Sequence, residues 1–319
     1  MSIIFECEYQ GHRYAGLGKP SDGEPVTLYR VADGTLRDAV ITGGGPAAVI
    51  AAVTEGAATV TVTAGDPDVR YLPPLLPTGS GNALVSGFMG THRSKFDRDP
   101  DPEEEFRAPN WVIKGFGSWL RMPGEPLTVP AAPIALLEEP EVALVYVNDA
   151  GGTPRYAGYT FGNDLNDIGL HLQNPWGWTP YAKLCDTSLT PWLFLDAPPW
   201  TVAGRIVIER AGVTAWEGPF ACGSDAIYHR VPDMVGNLFS YPAVRRPGLV
   251  NYLLLGADKA SYHDGFTIAD GDRLTIEVTS HDVVLSNVVE YAAGQAVLAT
   301  SGSAAAQAGS GAAARTASR

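Results

Sequence analysis

Cysteine is scarce: three residues in 319, at positions 7, 185 and 222. An odd number at such wide spacing gives neither a disulfide framework nor a zinc knuckle. Positive charge is also short, with 22 Lys and Arg against 35 Asp and Glu and a formal net charge of −13. Binding a phosphate backbone needs clustered cations, so no nucleic-acid partner is expected. A small anionic substrate stays open, because a bound divalent cation and one or two lysines can reverse the local field. No apolar run approaches a membrane span, so no membrane partner is expected either. The opening "MSIIFECEYQGHRY" lacks the basic start and long apolar stretch of a secretory signal. These absences together point to a soluble, reduced, cytoplasmic protein.

Glycine and proline, by contrast, are abundant, at 36 and 25 residues. That composition favours short strands joined by many turns, hence a strand-rich α+β fold, over a helical bundle. Residues 1–72 read as a small α+β N-terminal domain: strands in "SIIFECEY", "VTLYRV" and "TVTVTAG", and a helix in "GGGPAAVIAAVTEGA" with Pro46 near its first turn. The Pro/Gly connector "YLPPLLPTGSGN" marks a boundary. Residues 73–291 carry the strands "VALVYV", "YAGYTFG", "GRIVIER", "LVNYLLL", "DRLTIEV" and "VVLSNVVEY", each bounded by Gly, Pro, Asp or Asn. The stretch "RDPDPEEE" reads as a solvated, mobile loop. Residues 292–319 are Ala/Gly/Ser low complexity and are expected to be disordered.

Three carboxylates stand out. Glu139 and Glu141 lie two apart on a strand and so share a face, and Asp164 closes the run "YTFGND" where a strand would reach the sheet rim. Converging, they would form an all-oxygen site suited to Mg²⁺, with Mn²⁺ or Ca²⁺ as alternatives. From spacing alone, a solvated "EEPE" turn and an ordinary strand cap at Asp164 are the commoner reading. "DLNDIG" imitates the start of a calcium loop. Ile168 in a ligand position and Pro175 in place of the bidentate Glu reject an EF-hand. Of six histidines, only His92 in "GTHRSK" and His171 near Asp164 have suggestive neighbours. Trp176 and Trp178 fit an aromatic wall over a pocket and buried packing equally well.

The order of the pieces adds what spacing cannot. "PNWVIKGFGSWLRMPGEPLTVP…EEPEVALVYV…GYTFGNDLNDI…QNP…AKLCDTS" resembles the fumarylacetoacetate hydrolase superfamily, most of all its branch of bacterial 2-keto-3-deoxy sugar-acid dehydratases. The blocks are Trp111 to Gly115, Pro123 to Leu127, Glu139 to Glu141, Gly162 to Asp164, Gln173 to Pro175, and Lys183. "LVSGFMGTHRSK" upstream and "RRPGLVNYLLLGADKASYHDGFTIADGDRLTIEV" downstream are similar to further blocks, so the resemblance spans roughly residues 70 to 290.

That resemblance implies a mixed-sheet β-roll, often a homodimer, acting on a 2-oxo or 1,3-dicarbonyl acid through a metal-stabilised enolate. It implies Glu139, Glu141 and Asp164 as metal ligands and His92 and Lys183 as catalytic residues. Lys114, Asp167, His171, Gln173 and Ala257 would face a small anionic 2-oxo acid. Dehydration, a lyase reaction, is the leading expectation. C–C hydrolysis, decarboxylation or cyclisation of a biosynthetic intermediate, and a degenerate non-catalytic member, are the alternatives. Departures from the branch pattern keep these open. Ile168 stands where polar residues are common, and Gly256-Ala257 replaces a Gly-Thr. No acid follows His92 by three residues, and loss of one positioned acid/base group typically costs ~10²–10⁴-fold in rate.

Overall fold

The computed structural model describes residues 1–101 and 103–294; the tail expected to be disordered falls, from residue 295, outside the described residues. A large mixed sheet runs through the molecule. Its central order is Ile3–Tyr9, Leu193–Phe194, Pro154–Asn163, Pro140–Asn148, Val250–Leu254, Ala83–Met89 and Asn110–Phe116, with His12–Leu17, Pro25–Arg30 and Thr59–Thr63 continuing beyond Ile3–Tyr9. Most neighbours are antiparallel, but Val250–Leu254 runs parallel to Ala83–Met89. A second sheet holds Val213–Cys222, Val202–Arg210, Arg273–Val278, Val283–Tyr291 and Leu127–Val129.

The Pro140–Asn148 strand shows why these residues choose this architecture. "VALVYV" does not alternate apolar with polar, which is the signature of a strand covered on both faces. Val142 and Leu144 pack towards the second sheet with Ile206, Ile208, Ile276 and Leu285. Ala143, Val145 and Val147 pack on the other face with Leu36, Val40, Val49 and Val53. The latter come from the helices Thr35–Thr42 and Gly45–Thr54. Pro46 sits in the first turn of Gly45–Thr54, where its missing N–H costs nothing. Two apolar layers thus grip one central strand.

All three cysteines are buried and unpaired with one another. Among the described residues, no helix is long and apolar enough to cross a membrane.

Candidate metal centre and active site

The antiparallel register between Pro140–Asn148 and Pro154–Asn163 pairs Pro140 with Asn163 and Glu141 with Gly162. The strand ends therefore coincide at one rim. Just beyond it, the Asp164 N–H donates to the Glu139 carbonyl (3.0 Å), and the Glu139 N–H donates to Asn163 Oδ1 (2.9 Å). Gly162 is needed there, because a Cβ would come within 2.6 Å of Leu189 Cδ2 and 2.8 Å of the Ser188 carbonyl on the neighbouring strand. The outcome is that Glu139, Glu141 and Asp164 each present an oxygen within 4.8 Å of the other two.

Two lysines enter the cluster. Lys183, at the end of the short helix Thr179–Ala182, places Nζ 2.5 Å from Glu139 Oε2 and 2.8 Å from Asp164 Oδ2. Lys114, on Asn110–Phe116, lies 2.5 Å from Asp164 Oδ1 and donates to the Leu165 carbonyl at 2.7 Å. Asp164, Glu141 and both lysines are buried; Glu139 is the half-open member. Asn166 Nδ2 adds a hydrogen bond to Glu139 Oε2 (2.8 Å).

The electrostatics separate the three acids. Burial pushes Asp164 up, but Lys114 and Lys183 outweigh it and hold the carboxyl below its usual range. Glu139 is raised by burial against the pull of Lys183. Glu141 is raised well above the ordinary value, first by burial and then by the charges of Asp164 and Glu139. Burial alone would depress Lys183, yet Asp164 and Glu139 hold it above its usual range. One oxygen of Glu141 accepts the Gly256 N–H at 2.5 Å, while Oε1 is buried with no hydrogen-bond partner among the described residues. A buried carboxylate oxygen without a donor is costly. An all-carboxylate donor set with such an oxygen fits a hard divalent cation.

The remaining expected residues divide. His92 is buried, follows Thr91, and leaves Nε2 without a hydrogen-bond partner among the described residues. Thr91 Oγ1 donates to the Leu255 carbonyl (2.6 Å), which brings the His92 loop against the Gly256 turn. Burial pulls the His92 imidazole down to about 4, so it is neutral at pH 7. Ala257 is half-buried in the same turn. His171 is half-buried and hydrogen-bonds Thr179 Oγ1 at 2.7 Å through Nδ1. Burial and the nearby Lys183 charge lower its pKa.

Asp167 is occupied elsewhere. Its carboxylate accepts the N–H groups of Ile134 (2.9 Å), Ala135 (3.0 Å) and Leu170 (3.1 Å), capping the helix Ile168–Gln173 and tying it to the preceding loop. Gln173 is exposed at the end of that helix. Trp176 and Trp178 are exposed as well, at 94% and 40%, which removes the buried-packing alternative for them. Sequence reasoning passed over Glu138, Asn163, Asn166 and the Gly256 amide. Asn163 and Asn166 flank Asp164 in "GNDLN", and two amides bracketing a strand-end acid were the available signal.

No family model and no curated protein matches this sequence. Solved structures do. "2-keto-3-deoxy-D-arabinonate dehydratase apo form" superposes with a TM-score of 0.66 at 17% identity, covering 92% of this chain and 100% of that one. The chain shares that fold. The same dehydratase "complexed with magnesium and 2,5-dioxopentanoate" matches with a TM-score of 0.62 at 16% identity, over 91% of this chain and 99% of that one. A 5-carboxymethyl-2-hydroxymuconate delta-isomerase from Mycobacterium smegmatis matches with a TM-score of 0.60 at 18% identity, over 92% and 100%.

Proposed function

We propose that this chain is a divalent-metal-dependent enzyme of the fumarylacetoacetate hydrolase superfamily that acts on a small 2-oxo acid, most simply as a dehydratase. The observation that carries the reading is the Glu139–Glu141–Asp164 cluster, in which the buried Glu141 Oε1 has no hydrogen-bond partner among the described residues. The shared fold with a dehydratase solved with magnesium and a 2-oxo acid supports it. Mg²⁺ is the proposed ion, with Mn²⁺ as the nearest substitute.

The charge balance favours a monoanion. Three carboxylates against two ammonium groups leave one net negative charge if all are ionised. A divalent cation turns this into one net positive charge, the complement of a single carboxylate. When bound, that cation would act as a Lewis acid on the 2-oxo oxygen and stabilise the negative charge that develops there.

The residues of the chain do the rest. Lys183 has three N–H donors and spends two on Glu139 and Asp164, so the third is free for the substrate. Lys114 likewise uses two of its three donors, on Asp164 and Leu165, and its charge keeps Asp164 ionised. His92, neutral because it is buried, is able to accept a proton, although as a weaker base than an exposed imidazole. His171, which feels the Lys183 charge, and Gln173 lie on the helix before Lys183 and are the proposed substrate contacts from that side. Asp167 contributes by fixing that helix.

Two neighbouring observations favour a second reading, in which the same centre serves a bulkier, less polar substrate in C–C cleavage, decarboxylation or cyclisation. Ile168 and Ala257 offer no polar contact, and Trp176 and Trp178 stand exposed on the segment leading to Lys183. The deciding experiment incubates the protein with 2-keto-3-deoxy sugar acids and with apolar 2-oxo acids in Mg²⁺ or Mn²⁺, followed by proton NMR. Loss of water from the sugar acids, abolished by chelator, supports dehydration. Turnover of the apolar acids alone supports the second reading. No consumption of any acid would leave a degenerate, non-catalytic protein.

A further inference from the structure

The segment that carries the proposed metal ligands carries one more carboxylate. Glu138 is fully buried, and both of its oxygens are used. Oε1 accepts the Ser261 N–H at 2.6 Å and Oε2 accepts Ser261 Oγ at 2.8 Å. Glu138 and Ser261 are 123 residues apart in sequence. Five residues before Ser261, Gly256 donates its N–H to Glu141 Oε2. Glu138 and Glu141, three residues apart, therefore hold the two ends of one turn, residues 256–261.

The turn has little freedom at its Gly256 end. The register that pairs Ala143 with Leu254 would place Gly256 opposite Glu141. Gly256 instead takes φ +96°, so the ladder stops with the Leu255 N–H on the Val142 carbonyl (3.1 Å) and the next N–H turns to a side chain. A Cβ at this position would overlap Thr91 Oγ1, which is itself buried and tied to Leu255. Asp258, within the turn, is hydrogen-bonded by Ser94 in the loop that carries His92. The turn thus links Glu141 to the loop that carries His92.

We infer that Glu138 is a positioning residue. By anchoring Ser261 it holds the 256–261 turn so that the Gly256 N–H engages Glu141 Oε2, which leaves Glu141 Oε1 aimed at the cation. The inference rests on the metal-centre reading above. It assigns Glu138 no contact with metal or substrate. Outer contacts that orient a metal ligand typically change affinity by about 10- to 100-fold when removed.

The test compares Mn²⁺ affinity, read by electron paramagnetic resonance of free Mn²⁺, in the wild type and four variants. Glu138→Ala should bind about 10-fold or more weakly. Ser261→Ala, which keeps the backbone donor, should lose a smaller factor. Glu138→Gln should stay near wild type, because its carbonyl accepts the Ser261 N–H and its amide donates to Ser261 Oγ. Leu28→Val, buried in the separate core of the outer strands Pro25–Arg30 and Thr59–Thr63, lowers stability as a control and should leave Mn²⁺ affinity unchanged. Hydrogen exchange at the Gly256 amide should quicken in Glu138→Ala and not in Leu28→Val.

If Glu138→Ala and Ser261→Ala melt earlier yet bind Mn²⁺ like wild type, Glu138 is a loop anchor only and the inference fails while the metal reading stands. Failure of the wild type itself to bind Mn²⁺ would remove both. Should Glu138→Ala not fold, the Ser261→Ala and Glu138→Gln pair still decides.

Discussion

Lys183 is the residue through which stability and the proposed chemistry meet. It neutralises the half-open Glu139 at 2.5 Å and the buried Asp164 at 2.8 Å, and such a partner cannot be removed cheaply. Replacing it by Met should destabilise the fold by about 3–5 kcal/mol, since uncompensated buried charge remains. A divalent cation binding the folded protein would offset part of that loss. Thermal melts of Lys183→Met with and without Mg²⁺ should show a low midpoint that rises with the ion; a midpoint insensitive to Mg²⁺ would count against a cation at this cluster.

His92 gives a prediction with a sign. Its folded pKa, about 4, lies below the ordinary 6.5 because of burial. The unfolded chain therefore takes up the proton first. The stability tied to a neutral His92 is fully present above pH 6.5 and is lost as pH falls through 4, by roughly 3 kcal/mol. Glu138, raised to about 7 by burial, works in the opposite sense, losing its contribution as pH rises through 7. Comparing wild type with His92→Gln cancels the Glu138 contribution. Urea unfolding from pH 7 to 4 should show the variant gaining on the wild type as pH falls; parallel curves would mean that His92 is not desolvated.

At the scale of elements, the metal-side strands were legible and the turn that steadies them was not. The E-x-E spacing on an apolar strand and the strand-end Asp164 are local signals, and the antiparallel register brings them together. The Gly256 turn depends on contacts from residues 91, 138 and 141, which no local pattern reveals. Four α-helices among the described residues, Thr35–Thr42, Ile168–Gln173, Thr179–Ala182 and Val231–Leu238, go beyond the one expected, and two of them show a local reason. Thr35–Thr42 starts at Gly34 without a side-chain cap, and Val231–Leu238 is two turns long with Gly236 inside. Neither N-cap residue, Gly34 or Arg230, carries the Ser, Thr, Asp or Asn side chain that most clearly announces a helix start. Gly256→Ala tests the turn: positive φ and the Thr91 overlap should cost about 1–3 kcal/mol in urea unfolding. An unchanged midpoint would show that the turn can relax.

On the scale of the whole molecule, the α+β, strand-rich architecture followed from composition and from runs such as "VALVYV" and "DRLTIEV", whose strands are Pro140–Asn148 and Arg273–Val278. Assembly did not follow from them. The large sheet ends at Asn110–Phe116, whose Ile113 and Phe116 are exposed beside a hollow of about 480 Å³ lined by Phe88, Trp111, Leu238 and Tyr241. An open edge with apolar side chains invites pairing with another chain. We propose a homodimer through this edge. Sedimentation should give twice the chain mass for wild type and the single mass for Ile113→Glu. A monomeric wild type would refute it.

A cation held by Glu139, Glu141 and Asp164 would be located by diffraction from crystals soaked in Mn²⁺. One anomalous peak should appear, bonded to an oxygen from each of Glu139, Glu141 and Asp164, with Glu141 contributing Oε1. Anomalous density absent from the cluster at saturating Mn²⁺, with the lysines still closing on the carboxylates, would contradict it.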